Sequence, residues 1–471
     1  MKILLINPPR ENEIIGNNPR IVEEERGYNP PLGLLYLAGY LEARTQHAVS
    51  VIDSQVENLS YDELSRRVAD AKPDVVGLTA MTMTLVDVLK AARAVKSSAP
   101  SAKVVLGGPH VHLFPEETIA FDDVDYLVLG EGEEVFAQLL DAIGDDARLR
   151  SIPGIVFTSG GEVVNTGTRA AIEDLDALPF PARHLVPYKK YSSLLAKGDC
   201  VTTVFTSRGC PFKCTFCDRP HLGKRFRARS PKNVVDELEE CTRMGINEFL
   251  IYDDTFTVDR ARANEICDEI VRRKLDIGFD IRARLDTVNA DMLARLKAAG
   301  CQGIHYGVEA GTERILKILN KGISIPLAVD IFRLTKKHGI PTLAYFMIGN
   351  PEETREEIEE TFAVTRRLNP DYVHMTVLTP FPGTVVYQWA LERGVIKSDV
   401  WREFAREPNM DFEPPHWGEH FTKDELNALL VEGYKKFYTR PSYILKRLMK
   451  IRSFSEFKRK ARAGLKVFSM K

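Results

Sequence analysis

What most restricts the fold of this chain is an alternation of strand-like and helix-like segments that runs through it twice. In the first block, short apolar runs at Lys2–Ile6, Val49–Asp53, Val75–Leu78, Val104–Leu106 and Tyr126–Leu129 are separated by stretches with helical periodicity, such as Gly33–Leu41 and Val86–Val95. Strands joined through helices lie parallel, with right-handed crossovers and helices on both faces of an open, doubly wound sheet. Ligands of such a sheet sit beyond the carboxyl ends of the strands. Here those ends carry "NPPR", "LTAMTMT", "LGGPHVH" and "LGEGEE", where glycines let a ligand approach the backbone and hydroxyls can bond it. A less regular stretch then reads as a hairpin and a Pro-rich linker, with a boundary near Pro179–Tyr191. From Val201 the alternation resumes, with strands expected at Val201–Thr206, Glu248–Tyr252, Gly278–Arg282, Gly303–Val308, Thr342–Ile348 and Tyr372–Leu378. Six β/α units predict a closed or partly closed parallel barrel, followed by a helical C-terminal extension. The expected division is 1–145, 146–195, 196–390 and 391–471.

The loop expected after the first barrel strand reads "SRGCPFKCTFCDRP", residues 207 to 220, with Cys210, Cys214 and Cys217 spaced C-x3-C-x2-C. Loops at the carboxyl ends of barrel strands form the active face of such folds. Three thiols are too many for one disulfide and one short of a tetrahedral zinc cage. Each can bind one iron of a 4Fe-4S cube, leaving the fourth iron open for a ligand. A zinc site that adds His221 is the alternative, although its spacing lacks the usual paired knuckles. No apolar stretch approaches the 18 residues of a membrane span, and the N-terminus lacks a signal-peptide core, so a cytosolic protein is expected. In that reducing compartment the seven cysteines argue for cluster or metal use rather than a disulfide framework. Cys200, Cys241, Cys267 and Cys301 lie apart from the cluster, and the last three read as small buried hydrophobes.

The string C-x3-C-x-Phe-C after a first barrel strand, with six β/α units following, resembles the radical S-adenosylmethionine superfamily. The resemblance implies that the amino and carboxylate groups of S-adenosylmethionine chelate the open iron, and that an electron from the cluster cleaves the cofactor to a 5′-deoxyadenosyl radical. It places Phe216 beside the cluster and adenine. "YDDTF" resembles the segment that binds the methionyl amine, through Asp253 or Asp254, unless these cap the next helix. "RARLD" resembles the segment whose arginine faces the methionyl carboxylate, with Arg284 the better match and Arg282 on the same strand face; a simple pair between Arg284 and Asp286 is the alternative. "GVEAGTERILKILNKG" puts Glu309 near the ribose or methionyl group, "YFMIGNPEET" resembles the segment near adenine, and "TPFPGT" closes the sixth strand.

The first block resembles the cobalamin-binding domain that precedes the barrel in the cobalamin-dependent members, through "GLTAMTMTL", "LGGPHVHLFPEE" and "LGEGEEVF". That resemblance implies Thr79, Met81 and Thr82 under the corrin, Gly107, Gly108, Gly130 and Gly132 along its nucleotide tail, and His110 on the same face. The Asp-x-His-x-x-Gly of mutases and methionine synthase is missing after the first strand, where "INPPREN" stands. The cobalt therefore lacks a histidine from that loop. Together these implications describe a C-methyltransferase for an unactivated carbon of a small, hydrophobic biosynthetic intermediate, fed by a flavodoxin- or ferredoxin-type donor. A radical cyclase or rearrangement enzyme acting on a tetrapyrrole or lipid is the alternative. More distant ones are a tRNA methylthiotransferase, which needs further clustered cysteines, and a cobalamin sensor, which needs an output module. Nucleic acid is not an expected partner.

Net charge is −2, yet residues 434 to 471 hold thirteen Lys and Arg against Glu456 alone. This basic, aromatic tail suits an anionic membrane surface; a solvated helical face is the alternative. "YKKFYTRPSYILKRL" resembles the tails of members that act on tetrapyrrole or lipid-like substrates.

Overall fold

The computed structural model describes residues 1–17, 27–193, 198, 200–218 and 221–449. Five parallel strands come first: β1 (Lys2–Asn7), β2 (Ala48–Asp53), β3 (Val75–Thr79), β4 (Lys103–Gly107) and β5 (Tyr126–Val128). Their order is β2-β1-β3-β4-β5, so the strand order reverses between β1 and β3 and opens a crevice beyond their carboxyl ends. Apolar side chains fill both faces of the sheet. Leu4, Ile6, Leu78 and Leu106 belong to one core, Leu5, Val105, Val128 and Phe136 to the other.

The hairpin expected in the linker joins this sheet instead. Strands β6 (Ile155–Ser159) and β7 (Glu162–Asn165) extend it from β5, running antiparallel and raising it to seven strands. Gly160 and Gly161 both take positive φ, 60° and 86°, which is the backbone a two-residue hairpin turn requires. Ile155, Val156 and Phe157 are buried, so the apolar face of the hairpin had to find the sheet edge. The Pro-rich stretch that follows is anchored to the barrel by Arg183, buried and 2.5 Å from Glu237.

The second sheet contains β8 (Val201–Val204), and after a short interruption β11 (Glu248–Ile251), β12 (Gly278–Ala283), β13 (Cys301–Glu309), β14 (Thr342–Ile348) and β15 (Tyr372–Val377). All neighbours are parallel, in the order β15-β14-β13-β12-β11-β8, and the two ends do not pair with each other. The barrel is therefore open. Its outer helices begin at side-chain caps, Ser230, Asp259, Asn289, Thr312, Ser324 and Thr354, each worth about 1 kcal/mol. Asp259, and not Asp253 or Asp254, caps the helix that follows β11.

Two C-terminal helices have defined work. Helix Val400–Arg406 reaches the first domain, where Phe404 packs with Leu85 and Val86 and Arg402 pairs with Glu117 at 2.5 Å. Helix Lys423–Tyr438 covers β15, whose outer edge would otherwise be an open template for another chain. The Tyr438 hydroxyl accepts from the Val373 amide at 3.0 Å and donates to its carbonyl at 2.8 Å, and Tyr434 does the same for Met375, both at 3.0 Å. The aromatic residues at the start of the basic tail are thus part of the barrel, with Tyr434 and Phe437 buried. The tail from residue 450 onward lies outside the described residues. Among the described residues, no helix is long and apolar enough to cross a membrane.

Candidate functional site: two strand-end faces joined at the cysteine loop

The cysteine loop leaves β8 through a two-residue strand, β9 (Ser207–Arg208), and returns through β10 (Arg227–Ala228), which pairs with it antiparallel. A ladder across its base turns eighteen intervening residues into a closed loop. Gly209 makes the entry turn at φ +78°, and a Cβ there would lie 2.2 Å from the Arg225 carbonyl oxygen, so no other residue fits. The loop is then laced to the barrel. The Thr215 amide donates to the Leu319 carbonyl at 3.0 Å, Val386 donates to Thr215 at 3.0 Å, and Asn320 Nδ2 donates to Lys213 at 2.8 Å. Cys210 is buried and Cys214 and Cys217 are partly exposed, none of them in a disulfide. Arg219 and Pro220 lie outside the described residues.

Asp253 holds the entry to that loop. Its carboxylate accepts from the Thr206 amide at 2.6 Å, the Ser207 amide at 3.1 Å, the Ser207 hydroxyl at 2.7 Å and the Thr206 hydroxyl. Burial raises its pKa, while Arg262 and those donors oppose the rise. All its acceptor capacity is spent inside the protein, whereas Asp254 is partly exposed. Asp253→Asn turns one acceptor into a donor facing donors. The expected cost is about 3 kcal/mol, read as a lower urea midpoint with unchanged slope.

The expected residues Cys214, Phe216, Arg284 and Glu309 converge. Arg284 donates one edge of its fork, Nε and Nη2, to Asp286 at 3.0 and 2.9 Å, reaches the Lys321 carbonyl from Nη2 at 2.5 Å, and has Nη1 3.7 Å from Cys214 Sγ. Its guanidinium lies 3.8 Å over the Phe212 ring, a contact the sequence did not suggest. Lys321 pairs with the buried Glu309 at 2.7 Å and sits 5.9 Å from the centre of the Phe216 ring. Glu309 adopts φ +76°, a left-handed conformation that costs a non-glycine residue about 1–3 kcal/mol and tends to be kept where a site needs it. Gly307 makes room for the pair, because a Cβ there would lie 2.3 Å from Glu309 Oε1 and 2.7 Å from Lys321 Nζ.

On the first domain, Met81 stands 55% exposed just past β3, an apolar surface at the crevice. Gly108, at φ +99°, brings the backbone so close that a Cβ would lie 2.8 Å from the Ala80 carbonyl. Thr79 Oγ1 lies beside it, at 3.0 Å from that Cβ position. Thr82 and His110 are below this surface: Thr82 Oγ1 bonds His110 Nδ1 at 3.0 Å, and His110 is fully buried with Nε2 unpartnered. Burial alone pushes the His110 pKa down to about 3, so the ring is neutral. Of the residues expected under or beside the corrin, these two are buried in this structure, whereas Met81 is exposed. Gly107 ends β4, and Gly132 opens helix Gly132–Ala142.

The two faces are clasped by a network the sequence reading missed. Arg208, two residues before Cys210, is 9% exposed and pairs with Glu131 at 2.7 Å and Glu133 at 2.5 Å, on either side of Gly132. Arg227, its ladder partner, pairs with Glu131 at 2.7 Å. A Cβ on Gly130 would come within 3.9 Å of the His221 carbonyl, and one on Gly383 within 2.7 Å of Asp218 and 3.1 Å of Leu113. The end of the cysteine loop thus lies against both the first domain and the sixth-strand loop.

The donor sets fit the implied groups. Three thiols on one closed loop suit a cluster that takes one iron per sulfur, whereas a single zinc needs its ligands around one point. Among the described residues, no three His, Cys, Asp or Glu side chains are so arranged. The exposed Met81 just past β3 suits a broad apolar ring.

A family model of the radical SAM superfamily matches residues 204–364, and one of the B12 binding domain matches residues 21–140. The chain is 36% identical to the uncharacterized methyltransferase PH0819 of Pyrococcus horikoshii over 99% of each chain. It is 31% identical to the anaerobic magnesium-protoporphyrin IX monomethyl ester cyclase of Rubrivivax gelatinosus over 94% of this chain and 78% of the cyclase. The fold resembles that of the cobalamin-dependent S-adenosylmethionine radical enzyme OxsB, solved with aqua-cobalamin and S-adenosylmethionine bound, at TM-score 0.74 and 18% identity, over 99% of this chain and 70% of that one. With its B12-binding domain ahead of the barrel, the chain belongs to the cobalamin-dependent branch of the radical SAM superfamily.

Proposed function

We propose that the chain uses a 4Fe-4S cluster, S-adenosylmethionine and cobalamin to methylate an unactivated carbon of a small, hydrophobic biosynthetic intermediate. The observation that carries this reading is the clasp itself: Arg208 joins the loop of three thiols to the glycine-edged loop of the B12-binding domain. Bound there, the cluster and S-adenosylmethionine supply a 5′-deoxyadenosyl radical, and cobalamin a transferable methyl group.

The protein's own work is placement and exclusion of water. Cys210, Cys214 and Cys217 hold one iron each. Asp254 takes the methionyl amine. Arg284, fixed by Asp286 and by the Phe212 ring, directs its remaining edge towards the Cys214 side, where it would meet the methionyl carboxylate. Glu309, locked by Lys321, faces the ribose, and Phe216 covers the adenine side. Thr79, Met81, Gly107, Gly108, Gly130 and Gly132 hold the corrin and its tail. An external flavodoxin or ferredoxin supplies the electron, and the basic tail beyond residue 450 gives a place for membrane contact. The 31% identity to a cyclase supports a second reading, ring closure without methyl transfer.

One assay separates the two. Anaerobically reconstituted protein with cobalamin, dithionite and S-adenosylmethionine is expected to form 5′-deoxyadenosine. On addition of a small-molecule extract of the source cells, S-adenosylhomocysteine is expected to rise in step with it. Deoxyadenosine without any S-adenosylhomocysteine would overturn methyl transfer in favour of cyclisation.

A further inference from the structure

The inner face of the barrel presents a wall that the cofactor contacts above leave unused. Along β12 to β15, the partly exposed Arg282, His305, Tyr345 and His374 alternate with neighbours that pack outward into the core. Register sets Arg282 opposite His305 and Tyr345 opposite His374. The Tyr345 ring lies 5.3 Å from that of His374, edge-on, and 6.0 Å from that of His305, whose Nδ1 is 3.3 Å from the Tyr345 hydroxyl. Just past the end of β11, Tyr252 carries the Arg282 guanidinium over its ring, 3.9 Å from the ring centre. Asn29 of the first domain fixes Tyr252 by donating to its hydroxyl at 2.9 Å.

Charge makes this arrangement specific. The other cations near the site are neutralised internally: Arg284 by Asp286, Lys321 by Glu309, and Arg208 by Glu131 and Glu133. Asp280, two residues before Arg282 on the same face, instead lies 3.7 Å from His305 Nε2. Among the described residues, no carboxylate stands within ion-pair distance of Arg282. A guanidinium held over a ring loses little freedom on binding, and beyond its hydrogen bond to the Tyr345 hydroxyl Arg282 has further N–H donors to offer a carboxylate.

We propose that Arg282, held over Tyr252 and flanked by Tyr345, His305 and His374, is the subsite for a carboxylate of the substrate, with the ring wall receiving the planar group that bears it. This deepens the proposed function and rests on it for the word substrate. The placement is also economical for the reaction: a substrate anchored by its anion on the inner strand wall presents its remaining apolar body towards the strand ends, where the cysteine loop lies.

The test is calorimetric, on cofactor-loaded protein, with 1-naphthoate and its uncharged counterpart 1-naphthamide as probes. Naphthoate is expected to bind at least about tenfold more tightly, the size of one charge-assisted hydrogen-bonded pair. Arg282→Gln is expected to erase that preference, Arg282→Lys to keep part of it, and Tyr345→Phe to weaken it while the ring remains. Equal affinities in the wild type, or a preference that survives Arg282→Gln, would overturn the proposal. So would a matching loss of S-adenosylmethionine affinity in Arg282→Gln, because the arginine would then read the cofactor. The readout needs no turnover. A protein that makes deoxyadenosine yet lacks the preference overturns this subsite alone, and a protein with the preference but no deoxyadenosine supports the subsite while overturning the radical reaction.

Discussion

Cys214→Ala is expected to yield a folded protein that, after anaerobic reconstitution with iron and sulfide, lacks the broad visible absorbance of a 4Fe-4S cluster and forms no detectable 5′-deoxyadenosine. The thiol is partly exposed and packs into no core, so its removal leaves no cavity to destabilise the barrel. The loop keeps its shape without the thiol, because the Arg208–Arg227 ladder, the Gly209 turn and the Thr215 bonds to Leu319 and Val386 do not involve it. What is lost is one of three iron ligands, and a cube held by two thiolates has no protein sulfur for a second of its irons. The control is the buried Cys267→Ala, which sits in the helix Arg260–Arg272 and should keep both signals at some loss of stability, about 1–2 kcal/mol. Persistence of cluster absorbance or of deoxyadenosine in Cys214→Ala would sink the ligand assignment.

How much of this was legible beforehand follows from what local pattern can carry. The parallel strands were legible because apolar runs and helical periodicity are local, and β14 runs over Thr342–Ile348 as its sequence predicts. The cysteine spacing was legible for the same reason. The hairpin was recognisable from Gly160 and Gly161, but its docking was not, since a buried face does not name the edge it covers. Which of two adjacent acids is structural was not legible, because it depends on a contact with residues nearly fifty positions away: Asp253 turns back onto Thr206 and Ser207. Tyr434 and Tyr438 read as an amphipathic tail because their partners, Met375 and Val373, lie some sixty residues earlier. Arg208 hid its role for a related reason. Its carboxylates are 77 and 75 residues away, and the one local hint was the acid on each side of Gly132.

That clasp carries the largest expected effect on stability. Arg208, Glu131 and Glu133 have side chains 9%, 4% and 6% exposed, so Arg208→Ala strands a buried Glu133 and leaves Glu131 to Arg227 alone. Removing one partner of a buried pair costs about 3–5 kcal/mol, because the remaining charge keeps its desolvation penalty without its attraction. The expected result is a urea midpoint lowered by a large fraction of the total stability, and faster proteolysis between the first domain and the barrel. Arg208→Met combined with Glu133→Leu should recover most of that loss, since replacing a whole buried pair by apolar groups is close to neutral. Acid should have the matching effect. Burial raises the Glu131 pKa, but Arg208 and Arg227 more than offset it and hold the group below its ordinary value. A depressed carboxylate stabilises the fold above its unfolded pKa, about 4.3, and loses that contribution as pH falls through the folded value. The gap between wild type and Arg208→Ala is therefore widest near neutral pH and narrows in acid. A gap that stayed constant with pH, or a variant within about 0.5 kcal/mol of wild type, would mean that the ion pairs do not hold the two faces together, and that packing around Tyr36, whose ring lies 5.2 Å beneath the Arg208 guanidinium, does so instead.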